Sequence, residues 1–252
     1  MKYFDCDCLL GAPRVPLPDV QAGLSDYLSE MQRLDIERAV VRHRACTEAH
    51  YQVGNEVLME EIQGHDNLIP AWYVAPNGLE PDFDPVVMVD RMINLGVRLA
   101  WTALSQGRQA PFTLQPWCAG KLLGALQERR VPLMVQYYDV PADVLEAVLR
   151  HFPRLPVILL DAPRLGRNPL LYPLLEQYPN LVLCISALYG VHLGVEDLCQ
   201  RFGSHRLVFG SHYPQAEGGA SVAVLTYAGL SDEDKEAIAY RNLERLVGEV
   251  CL

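Results

Sequence analysis

A chain of 252 residues, half of them hydrophobic, is long enough to bury a large core and too apolar to remain disordered. Its net charge of −10 argues against nucleic acid and anionic membrane surfaces as partners, because both select basic patches. The seven cysteines are odd in number and scattered, which fits reduced thiols better than a disulfide framework. No stretch reaches the roughly 18 to 20 apolar residues of a membrane span. The first residues, Met1 to Asp5, enter a strand-like run that contains an acid instead of the apolar segment of a signal peptide. A single-domain cytoplasmic protein is expected.

Residues 3–10 read as a first strand, in which alternation would send Asp5, Asp7 and Leu9 one way and Phe4, Cys6, Cys8 and Leu10 the other. On that reading both Cys6 and Cys8 point away from the interior of the sheet. Prolines make the next stretch a loop, and residues 19–34 have helical spacing. A second strand spans 36–41 and runs out into Arg42-His43-Arg44. A helix over 55–63, with Gly54-Asn55 as its start signal, is followed by a strand over 68–74. A helix over 84–95 leads to a strand over 96–101, and a helix over 117–130 to a strand over 131–137. Then come a helix at 142–152, a strand at 155–160 ending at Asp161, a helix at 170–178, a strand at 181–185 and a helix at 195–202. The eighth strand, 206–209, ends in Gly-Ser-His-Tyr-Pro, where the proline forbids further pairing. A Ser-Asp-Glu-Asp signal opens a closing helix over 231–247.

Strand and helix alternate throughout, and the strand runs are short and largely apolar instead of strictly alternating, which indicates a parallel sheet covered by helices. Eight such units close most naturally into a single (β/α)8 TIM barrel spanning residues 1–252. No strand is followed by the glycine-rich phosphate turn that an open nucleotide-binding sheet would carry.

In such a barrel the chemistry is built at the C-terminal ends of the strands. That rule collects Asp5 and Asp7, then His43 with Arg42 and Arg44, then Arg98 and Trp101. It adds Gln136, Tyr137 and Tyr138, then Asp161 and Arg164, Ser186 and Tyr189, and finally His212 and Tyr213. An Asp161–His212 pair suits acid–base work, with the carboxylate fixing the tautomer of the ring and raising its basicity. Arginines suit bidentate binding of a substrate carboxylate, and each also has the simpler reading of a surface ion pair.

Four segments resemble the amidohydrolase superfamily, in particular its amidohydrolase-related (family 2) barrels: "FDCDCLLG", "VPLMVQ", "FPRLPVILLDA" and "LVFGSHYP". The closing "NLERLVGE" is similar to the last helix of that family. The resemblance implies a metal-dependent hydrolase, with histidines in strands one, five and six and an aspartate after strand eight as ligands. At those positions this chain has Asp7 and Leu9, Gln136, Asp161 and His212. A zinc site built on several imidazoles would not be reproduced. The resulting expectation is a site without a cofactor, where His212 is the base, Asp161 orients it and Asp7 assists. His43, Arg98, Gln136, Tyr138, Arg164 and Tyr213 would bind a small-molecule substrate. The reaction implied is hydrolysis of a carboxylate-bearing cyclic ester or amide, or cleavage of a related C–C bond. Two alternatives stay open. One is a rebuilt metal site at Asp7, Asp161 and His212, suited to a divalent ion such as Mn, Zn or Mg. The other is an inactive barrel kept as a ligand-binding or scaffold protein. Barrels of this kind often pair through outer helices, so a homo-oligomer is compatible with this reading.

Overall fold

The computed structural model describes residues 1–13, 15, 22–76, 83–104, 112–163, 165–186 and 191–251. Its strands are β1 (Tyr3–Leu10), β2 (Ile36–His43), β3 (Leu68–Tyr73), β4 (Leu99–Thr102), β5 (Leu133–Gln136), β6 (Val157–Leu160), β7 (Leu181–Ile185) and β8 (Leu207–Phe209). All neighbours pair in parallel, in the order β1 to β8. The ring closes where Cys8 forms a parallel bridge to Tyr213 and the Leu9 amide donates to the Tyr213 carbonyl at 2.9 Å. This is the TIM barrel that the strand pattern predicts.

The covering helices are α1 (Leu24–Arg33), α2 (Ala45–Glu48), α3 (Tyr51–Glu61), α4 (Pro85–Asn94), α5 (Pro116–Glu128), α6 (Ala142–His151), α7 (Leu171–Gln177) and α8 (Gly194–Phe202). Beyond the barrel, α9 (Gly219–Tyr227) precedes a continuous closing segment. That segment runs through α10 (Asp232–Glu236), a π-helical turn (Ala237–Arg241) and α11 (Asn242–Gly248). The Ser231 hydroxyl caps it, accepting from the Asp234 amide at 3.1 Å, as the start signal predicts. No helix among the described residues is long and apolar enough to cross a membrane.

Two apolar layers result from the alternation of side chains. Phe4, Val40, Ala71, Leu99, Met134, Ile158, Val182 and Val208 fill the barrel, and Leu243, Leu246 and Val247 of α11 join them. Val41, Leu133, Val157, Leu159 and Leu207 face outward, against Met31, Leu58, Val89, Leu122 and Val148 of the helices.

Strand β1 breaks the alternation. Asp5 pairs with Ala39 and Cys8 with Val41, so Cys6 and Asp7 together oppose the single residue Val40. This is a bulge, and its extra residue reverses the facing of the rest of the strand. Cys6 therefore packs inside the barrel while Cys8 joins the outer layer, correcting the expectation that both point outward. Asp5 and Asp7, which strict alternation puts on one face, are separated. Gly210 answers the bulge from β8: a Cβ there would lie 2.3 Å from Cys184 Sγ and 3.0 Å from Asp7 Cβ.

Asn55 is not a helix start. It lies inside α3, where Oδ1 accepts from the Tyr73 amide at 2.8 Å and Nδ2 donates to the Tyr73 carbonyl at 3.0 Å. The side chain continues the backbone pairing at the end of β3 and ties α3 to it.

Candidate active site

Three strand ends deliver the site. The bulge turns Asp7 inward from β1. Asp161 comes directly after β6, and His212 comes after β8, Gly210 and Ser211. Asp161 and His212 both adopt left-handed backbone, with φ of +58° and +60°. Aspartate and histidine tolerate that region better than most side chains, and such outliers gather at functional sites. His212 Nδ1 lies 2.9 Å from Asp7 Oδ2 and 2.8 Å from Asp161 Oδ1. Gln136, the last residue of β5, donates from Nε2 to Asp161 Oδ2 at 3.0 Å. On the other side, Arg42 of β2 donates from Nη2 to Asp7 Oδ1. The Arg42 guanidinium lies 5.4 Å from the centre of the Trp101 ring, within cation–π range. Arg42 and Asp7 are almost wholly buried, while His212 and Asp161 keep side-chain exposures of 12% and 14%. The chain thus runs Arg42–Asp7–His212–Asp161–Gln136, from the barrel interior toward its mouth.

Burial alone would raise the Asp7 carboxyl pKa, but the Arg42 charge and the His212 hydrogen bond outweigh it and hold the group below its ordinary range. Burial would likewise depress His212. Hydrogen bonds and charge from Asp161 and Asp7 overcome that and push the ring up to about 10. His212 is therefore an imidazolium at neutral pH, a proton donor before it is a base. A folded-state pKa above the ordinary 6.5 means that protonation stabilises the fold. That contribution is fully present below pH 6.5 and is lost as pH rises through about 10. Denaturant titrations should show stability falling across this window, and a His212→Asn variant should lack that fall.

Asp5, on the outer side of the bulge, holds this arrangement from behind. It accepts from Tyr27 Oη at 2.6 Å, from the Ser211 amide at 2.8 Å, from the Asp7 amide at 2.9 Å and from Ser211 Oγ. It thereby fixes Ser211, next to His212, and the backbone of Asp7 itself.

The structure brings together Asp7, Asp161, His212 and Gln136 among the residues expected from sequence. Others are placed elsewhere. Arg98 precedes β4 and so sits at the N-terminal end of the strand, opposite the mouth. His43 ends β2 on its outer face: Nε2 lies 3.2 Å from Glu61 Oε2 of α3, and Nδ1 accepts from the Ala45 amide at 3.1 Å. Neither is positioned to bind substrate beside His212. Tyr213 packs its ring on Tyr27 in the outer layer, with centroids 4.8 Å apart, and does not line the mouth. Tyr138 lies just beyond β5 and is 68% exposed at the rim, edge-on to Tyr137. Arg164 and Tyr189 lie outside the described residues. Arg42, expected as a free carboxylate binder or a surface ion pair, is instead buried against Asp7. The signal available was its position two residues beyond the inward Val40 in the same strand.

Comparison with known proteins settles the family. The model of the amidohydrolase family, which carries the description Amidohydrolase, matches residues 9–248. The chain belongs to this family. No curated protein matches this chain by sequence. Among solved structures, a TIM-barrel protein from Bordetella bronchiseptica superposes with a TM-score of 0.76 at 17% identity, covering 99% of each chain. The 2,6-dihydroxybenzoate decarboxylase from Rhizobium gives 0.73 at 17% identity, over 98% of this chain and 99% of that one. A 5-carboxyvanillate decarboxylase from Novosphingobium aromaticivorans, complexed with manganese and a nitrobenzoic acid, gives 0.76 at 12% identity, over 98% and 96%. At these identities the likeness shows the fold.

In this member of the family, Asp7, Asp161 and His212 offer one ligand atom each, all within 4.8 Å of one another. Two carboxylates and one imidazole are donor types that a hard divalent ion such as Mn²⁺ takes, but here Asp7 is already held by the Arg42 guanidinium. An ion there would compete with the contacts of His212 Nδ1 to Asp7 and Asp161.

Proposed function

We propose that this member of the family is a metal-independent enzyme that hydrolyses a small, carboxylate-bearing ring ester or amide. The observation that supports this reading is the convergence of Asp7, His212 and Asp161 at the barrel mouth, with Gln136 and Arg42 each donating to the outer oxygen of one carboxylate. Both carboxylates engage Nδ1, which leaves His212 Nε2 to meet the substrate. There the charged ring donates to the carbonyl oxygen as negative charge develops on it, and then to the leaving oxygen or nitrogen. Asp161 is the partly exposed carboxylate within reach of an attacking water and takes its proton. Water adds to the carbonyl carbon, the ring C–O or C–N bond breaks, and the proton from His212 goes to the leaving atom. One carboxylate and one imidazolium with opposed tasks is a common division of acid and base work. Were a divalent ion bound, Asp7, Asp161 and His212 would hold it, and it would supply a water acidified for attack.

A second reading is cleavage of a C–C bond with loss of CO2. It is favoured by the decarboxylases that share the fold and by a ring already protonated to deliver a proton to carbon. The test is a panel of carboxylated lactones, lactams and hydroxybenzoates, assayed with chelator-treated protein. Hydrolysis that persists after chelation is the expected result. CO2 release from a hydroxybenzoate would establish the second reading instead. Turnover that disappears on chelation and returns with Mn²⁺ would overturn the metal-independent mechanism. Binding without conversion across the panel would mark a barrel that kept its ligand and lost its chemistry.

A further inference from the structure

We infer that Arg42 is the resident cation of this site, occupying Asp7 so that a divalent ion is excluded from the Asp7–Asp161–His212 cluster. The inference rests on the metal-independent reading and adds the residue that enforces it. Asp7 has two oxygens and both are taken, Oδ1 by Arg42 and Oδ2 by His212. A metal ligated by Asp7 would compete with the His212 ring at Oδ2 or share Oδ1 with the Arg42 guanidinium. The guanidinium puts a full positive charge against Asp7. It has little freedom to swing away. Its side chain is 4% exposed, and it lies over Trp101, itself buried in the barrel. A dication among three ligand atoms within 4.8 Å of one another would therefore share Asp7 with a fixed positive charge. Burial screens that repulsion poorly. Arg42 supplies in one direction what a metal ion would supply in several: it keeps Asp7 ionised and turned toward His212, and it offers no open position for water.

The experiment is a titration of the whole protein with Mn²⁺ and no substrate, read by the loss of the free-ion paramagnetic resonance signal. Wild-type protein is expected to bind with Kd weaker than about 1 mM, and Arg42→Met to bind at least about 100-fold more tightly, because the competing charge is gone. Arg42→Lys keeps the charge and is expected to show no gain. Adding Asp161→Asn to Arg42→Met is expected to abolish the gain, which ties the new site to this cluster. Stoichiometric binding by wild type with Kd below about 10 μM would overturn the inference, whether or not any Arg42 variant folds. So would a folded Arg42→Met variant with wild-type affinity, and Arg42→Gln serves if the methionine variant does not fold. The titration requires no turnover, so failure to find a substrate leaves it standing. Tight Mn²⁺ binding refutes it whatever bond the enzyme cleaves.

Discussion

Replacing His212 by Asn is expected to lower turnover by about a thousand-fold while the barrel stays folded, the range that positioned proton transfer contributes. Asparagine is the informative choice because of the backbone. Position 212 has φ of +60°, and asparagine accepts the left-handed region more readily than other residues of its size. An alanine there would mix loss of chemistry with backbone strain. The amide can still donate one hydrogen bond toward Asp7 or Asp161, so part of the geometry survives. The charge between the two carboxylates and the proton at Nε2 are lost. Circular dichroism and a denaturant titration would establish the fold, and initial rates on the substrate found in the panel would read the chemistry. Turnover within about ten-fold of wild type would remove His212 from the reaction and with it the proposed mechanism.

Most of the barrel is legible in the sequence because its strands are short apolar runs that end in polar residues. The runs ending in Asp161 and in Gly-Ser-His-Tyr-Pro point to the mouth without help from structure. The features that escape such a reading have non-local causes. The β1 bulge has no glycine or proline to announce it. It lets Asp5 and Asp7 meet different partners, Tyr27 and Ser211 outside and Arg42 and His212 inside. Strand β2 continues to His43, and its inward arginine is tolerable only because its carboxylate arrives from β1, 35 residues earlier. His43 has the sequence position of a mouth residue, but α3 supplies Glu61 on the outer face. Arg98 turns on a strand boundary: with β4 starting at Leu99, the arginine stands before the strand and not near its end. A histidine after a barrel strand reads as a base. The charge on His212 is set by Asp7 and Asp161 together, and only the fold shows both at one ring nitrogen.

Asp5→Ala is expected to cost about 3–5 kcal/mol of folding stability, among the larger effects available in this chain. Asp5 is fully buried and accepts four hydrogen bonds, from Tyr27, the Ser211 amide and hydroxyl, and the Asp7 amide. Alanine strands all four donors in a dry site and leaves a cavity between β1, α1 and the end of β8. Burial raises the Asp5 pKa, so the carboxylate is held at some cost and its value lies in the bonds it accepts. Asp5→Asn separates these terms. Its amide oxygen can still accept from the two backbone N–H groups, and its amide protons can donate to the Tyr27 and Ser211 hydroxyls, which rotate to become acceptors. It is expected to cost only about 1–2 kcal/mol. Urea titrations of the two variants decide the matter, and equal losses would show that the charge, not the hydrogen bonds, carries the stability. The Ala variant should also lose activity, because Ser211 and the Asp7 backbone set where His212 and Asp7 meet. The Asn variant, with the same anchors, should keep most of it.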